Sequence, residues 1–95
     1  MRIHTLYDTK EVVTDQGDQM QLRYYLIQEI CRETGVTYGI RIIKETAKQQ
    51  EKEDLPALSY SMQEVEQLLR QMIYGVVTPM TAAFVADDWM ADHMN

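Results

Sequence analysis

Asp87, Asp88, Asp92 and His93 form the one cluster in this sequence with hard-ligand chemistry. Asp88 and Asp92 stand at i and i+4, so on a helix they share a face and could present two carboxylates to Mg²⁺ or Ca²⁺. Acidic pairs at that spacing are common on solvated helices, and no third rigid ligand accompanies this one, so a wet surface is the simpler reading. Cys31 is the single cysteine. As a nucleophile it would need a neighbour that lowers its pKa, with His4 or His93 as the candidate base. No signature surrounds it and no oxyanion donor can be named, which makes it an idle thiol at a strand end. The four glycines form neither a phosphate-cradling loop nor a dinucleotide fingerprint. The expected catalytic, metal and cofactor-binding residues are therefore none, and no cofactor is implied.

The surplus lies elsewhere, in methionine and aromatic residues. Trp89, Met80 and Met90 cluster near the C-terminus, and thioethers and aromatic rings are common anchors of adaptable interfaces. A second apolar group, Tyr25, Ile27 and Ile43, would sit together if the strands around them pair as their pattern suggests.

Those elements can be read from periodicity. Leu22, Tyr24, Leu26 and Ile30, then Val36, Tyr38, Ile40 and Ile42, keep one parity across a glycine turn. Alternation with period two marks a half-buried antiparallel hairpin. A three-residue loop, Glu33-Thr34-Gly35, with Gly35 in the left-handed position, would oppose Ile30 to Tyr38 and Leu26 to Ile42; a two-residue loop would mix the faces. Ahead of the hairpin, Ile3 to Tyr7 and Glu11 to Thr14 predict a bent or bulged strand leading into an Asp15-Gln16-Gly17-Asp18 turn. From about 44 to 54 the chain is charged and Gln-rich, which predicts a solvated loop. Leu55 to Tyr60 then predicts a short edge strand with Pro56 at its start.

Two helices follow. Ser61-Met62-Gln63-Glu64 reads as a capping box, and Met62, Val65, Leu68, Leu69, Met72 and Ile73 form one apolar stripe that Gly75 ends. Thr78-Pro79 opens the second helix, which carries more apolar residues than one contact needs. The predicted fold is α+β: a three- or four-stranded antiparallel β-meander followed by two C-terminal helices packed on its even-residue face. Leu69, Phe84 and Trp89 are expected in the core.

Tyr24-Tyr25-Leu26, Tyr38-Gly39-Ile40-Arg41-Ile42, the Val65 to Met72 helix, Thr78-Pro79 and Asp87-Asp88-Trp89 together resemble a family of short uncharacterised bacterial proteins, a domain of unknown function. The resemblance covers roughly residues 22 to 90. It implies this order of strands and helices and a bacterial cytoplasmic setting, and it lends no catalytic residue.

Composition bounds the role. With 95 residues, 45% hydrophobic and 25% charged, the chain is one small globular domain, residues 1 to 95. A net charge of -6 with scattered basic residues argues against a direct grip on nucleic-acid phosphates. No apolar run approaches the roughly 20 residues that span a bilayer, no signal peptide is visible, and one cysteine suits a reducing compartment, so a cytoplasmic location is expected. The leading expectation is a small interaction or regulatory module that binds a protein partner or itself, as a homodimer, through Trp89, Met90 and Met80 or through Tyr25, Ile27 and Ile43. The alternative is a metal-dependent or thiol enzyme on Asp88, Asp92 and His93 or on Cys31. A third is an acidic mimic of nucleic acid, motivated by charge alone.

Overall fold

The computed structural model describes residues 1–93, without the side chain of His93. Four strands, β1 (Arg2–Val13), β2 (Gln19–Cys31), β3 (Gly35–Thr46) and β4 (Gln50–Ser59), precede two helices, α1 (Met62–Tyr74) and α2 (Pro79–His93). The strands form one antiparallel sheet in the order β1-β2-β3-β4, so the meander and its two following helices are as the pattern predicts. Both helices cover the even-residue face of the central strands. Leu22, Tyr24, Ile40 and Ile42 from the sheet pack with Val65, Leu68, Leu69, Met72 and Ile73 of α1 and with Ala82, Ala86 and Trp89 of α2.

The β2–β3 hairpin keeps the predicted parity but not the predicted register. Cys31 pairs with Gly35, Ile30 with Val36 and Leu26 with Ile40, a slip of two residues from the expected pairs. Gly35, at φ 88°, is the first residue of β3 opposite Cys31 and not the last of the loop. A slip of two returns every side chain to the same face, so the hydrophobic pattern cannot distinguish the two registers and the turn decides. In β1 the predicted bulge is present: Leu6 pairs with Tyr25 and Asp8 with Tyr24, leaving Tyr7 as the extra residue.

The loop expected over 44 to 54 is a correction. β3 runs through Lys44 to Thr46, and β4 already pairs at Gln50, with Lys44 opposite Glu51 and Ile43 opposite Lys52. Charge fills this hairpin because β4 is an edge strand that meets the core through Leu55 and Leu58, not through residues 50–54. β2 has 13 residues, about 44 Å of strand, whereas the 15 residues of α2 extend only about 22 Å. Polar residues are tolerated on both sides of an uncovered edge and discourage further pairing.

At the head of α1, the Ser61 side chain accepts from the Glu64 N–H at 3.3 Å. The reciprocal half of the predicted box is relayed. Ser61 N–H donates to Ser59 Oγ at 3.0 Å, and the Ser59 hydroxyl donates to Glu64 Oε2 at 2.8 Å. At the other end the left-handed residue is Val76, at φ 52°, while Gly75 has φ -82°. Val76 N–H bonds to Ile73 O and Val77 N–H to Met72 O, the double bond pattern of a Schellman stop. A β-branched residue in this region is strained. The strain is held by those two bonds and by the buried hydroxyl of Tyr24, which donates to Val77 O at 2.9 Å.

Candidate functional site

The 15-residue α2 divides into two faces at 100° per residue. Val85, Trp89, Ala82, Ala86, Pro79 and Met90 lie on the face toward the sheet and α1, all buried or half-buried. The opposite half carries Met80, Ala83, Phe84, Asp87, Asp88 and Ala91, all exposed. Phe84, the only phenylalanine of the chain, is 71% exposed and Met80, one turn before it, is 77% exposed. The expectation that Phe84 belongs to the core is therefore corrected. Small side chains at 82 and 86 let the helix lie close to its neighbours, and that choice turns the large ring outward. Pattern could not decide between the two sides, because both are apolar.

The residues expected at a partner surface are split by this arrangement. Trp89 is 7% exposed and packs in the core, so it offers no docking surface. Met90 is half-buried against the same core. Met80 alone of the three is free.

Tyr25, Ile27 and Ile43 do share the sheet face away from the helices, but Ile27 is 0% exposed there, with Tyr25 and Ile43 half-buried. Three things seal Ile27. Its ladder neighbour on β3 is Gly39, and the register jump between Tyr38 and Ile40 puts Pro56, Ala57 and Leu58 in a wide bulge of β4 beside that glycine. A Cβ built on Gly39 would meet the Leu55 carbonyl oxygen and lie 2.8 Å from Pro56 Cα. Across the level of Ile27 runs an ionic strap: Arg2 on Glu29 at 2.8 Å, Arg41 on Asp54 at 2.6 Å, and Arg2 again 3.9 Å from Asp54. An arginine of β1 reaches an aspartate of β4 over two intervening strands because the sheet coils along its diagonal. The strap holds the Asp54 and Glu29 carboxyls below their usual range, chiefly through the hydrogen bonds from Arg41 and Arg2.

The other candidates are not brought together. Asp88 and Asp92 are exposed on α2, Met94, a further methionine of the C-terminal group, and the side chain of His93 lie outside the described residues, and among the described residues no group of three His, Cys, Asp or Glu could hold a metal. Cys31 is exposed at the start of the β2–β3 turn. Hydrogen bonds from the Thr34 hydroxyl and from the Thr34 and Glu33 amides lower its thiol to about 7, but no imidazole among the described residues stands beside it. His4 faces Ile27, four residues and about 13 Å back along β2. An open cleft of about 930 Å³ lies under the overhanging ends of the hairpins, lined by Val12, Met20, Lys44, Thr46, Lys48 and Thr78 together with Glu11, Asp18 and Glu45. Its charges are of both signs and converge on nothing. The bare edge of β1 is blunted by the Tyr7 bulge, by Lys10 and by Asp8, whose carboxylate accepts from the Thr9 N–H at 2.7 Å.

A model built for one protein family matches residues 3–92 of this sequence, from the first strand through the second helix. The chain belongs to DUF6514, a family of unknown function. The match reaches further toward the N-terminus than the motifs at 22 to 90 imply, so β1 is part of what defines DUF6514. No curated protein and no solved structure matches the chain. No helix among the described residues is long and apolar enough to cross a membrane.

Proposed function

We propose that this DUF6514 chain is a small bacterial, cytoplasmic interaction module that engages a protein partner or a second copy of itself through the outer face of α2. The observation that carries this is the pair Met80 and Phe84, 77% and 71% exposed at i and i+4 on one helical face. Burying a phenylalanine and a methionine contributes about 1.5–3 kcal/mol each, and aromatic residues with methionine are enriched at the centres of interfaces. The pair leaves that stabilisation unused in the isolated chain. Its backbone is held by the Schellman stop and by Tyr24, so the face is a fixed platform.

Absolute mass by light scattering after size exclusion, over a dilution series, tests self-association. The expected result for Phe84→Ser is release to monomer, with a melting curve that matches the dilute wild-type monomer because the ring contributes little to the core. A wild-type chain that is monomeric at every concentration assigns the face to a different protein. An assembly that persists in the Met80→Ser, Phe84→Ser double variant refutes the reading. Trp89 is unsuitable for this test, since its replacement would open the core.

A further inference from the structure

We infer that the occupant of the outer face of α2 is a cationic amphipathic helix of another protein, apolar on one side and lined with Lys or Arg; this rests on reading that face as the docking surface. The residues from Pro79 to Asp92 include no Lys or Arg. Asp87 and Asp88 are exposed beside the Met80 and Phe84 ridge, one turn beyond the ring, and none of the ion pairs among the described residues involves them or Asp92. Arg70, the one basic residue of α1, donates to the Tyr7 hydroxyl at 3.3 Å.

The helix also carries its charge against its own field. Asp92 lies in the last turn of α2, where the macrodipole is negative and a cation is favoured, and Asp88 stands at i and i+4 to it, a repulsive spacing. A cation brought by a partner relieves both. A second copy cannot supply it through the same face, since a two-fold pairing of α2 with α2 sets aspartates against apolar residues or against aspartates. Nucleic acid and anionic lipid are repelled. A helix with apolar anchors and basic residues one turn apart matches both halves of the ridge, by the helix-to-face mode of recognition.

The test uses fluorescence anisotropy with the full chain and three labelled peptides: a Leu/Lys helix in amphipathic order, the same composition scrambled, and the Leu/Glu equivalent. The wild-type chain should bind the first about tenfold tighter than the second, with no measurable binding of the third. Phe84→Ser should weaken binding about fivefold or more, and Asp87→Lys with Asp88→Lys about tenfold or more, with a shallower salt dependence. The control pair Asp15→Lys and Glu33→Lys makes the same change of net charge on distant turns and should leave the affinity unchanged. Equal losses in the two charge variants would overturn the inference, because net charge alone would then govern binding. So would the absence of any preference for amphipathic order. If the Leu/Lys helix fails to bind while Phe84→Ser still dissolves an assembly, the cationic occupant falls and the docking face stands; if neither responds, both fall.

Discussion

Of the four glycines, Gly39 is the one where an added methyl would collide with backbone, which makes Gly39→Ala a demanding test of the fold. The added methyl would run into the Leu55 carbonyl oxygen and would stand 2.8 Å from Pro56 Cα and 3.1 Å from Leu55 C. All three are backbone atoms, so no rotamer change clears them and the bulge of β4 must lift. Overpacking of this kind costs about 1–3 kcal/mol. Lifting β4 also loosens the two hydrogen bonds from Arg41 to Asp54, at 2.6 and 2.8 Å, and uncovers Ile27, adding about 1 kcal/mol. The sum is a loss of about 2–4 kcal/mol, and for a domain of this length each kcal/mol moves Tm by about 4–8 °C, so the transition should fall by roughly 10–30 °C. Urea denaturation followed by circular dichroism measures the free energy, and a thermal scan gives Tm. A folded Gly39→Ala chain whose stability lies within about 0.5 kcal/mol of wild type would refute the close approach of β4 and, with it, the account of how Ile27 is sealed.

Gly75→Ala should behave in the opposite way. Gly75 does not occupy the left-handed region, and its new methyl would meet its nearest neighbour at 3.4 Å, so the variant should be neutral or up to about 1 kcal/mol more stable in urea; a loss above 1 kcal/mol would place the helix stop at 75 after all. Tyr24→Phe leaves the Val77 carbonyl without its donor and should cost about 1–2 kcal/mol. Burial raises the Tyr24 phenol from 10.0 to about 12, so the unfolded chain gives up its proton first as pH rises. That contribution is intact below pH 10 and is lost toward pH 12, a fall of about 1–2 kcal/mol after solvent screening, which the Phe variant should not show. Asp54→Asn should flatten the acid side of the stability profile. The Asp54 carboxyl lies below its ordinary 3.8, so the strap stabilises above that value and fails as pH drops through the folded pKa. An acid limb identical to wild type would show that the strap adds nothing.

Much of the fold was legible because one face of β2 and β3 is buried and the other is not, which writes a period of two into the sequence. Capping residues and the stripe from Val65 to Ile73 announced α1 equally well. What pattern missed has physical causes. The register of the hairpin is invisible to parity at a slip of two. The charged hairpin from 44 to 54 looks like a loop because its strands overhang the helices and bury little. The pattern puts Phe84 in the core because α2 is apolar on both sides, and only the close seating of Ala82 and Ala86 chooses between them. Of the candidate site, the surplus of apolar surface on α2 was readable, and Met80 lies exposed on it. Trp89, expected both in the core and at an interface, is in the core. The burial of Ile27 was not readable, since it depends on a sheet coiled far enough for Arg2 to reach Asp54.

The hydroxyl of Tyr24, seated in the middle of β2 and bonded to the carbonyl of Val77, fixes the elbow between the helices to the most buried part of the sheet. α2 therefore has one orientation before anything binds. On the proposed reading, a partner docking there would order side chains but no backbone, and the entropic cost of association would fall chiefly on the partner. Affinity at such a face resides in the lifetime of the complex more than in its rate of formation, and a helix that folds as it lands would carry most of the conformational change itself.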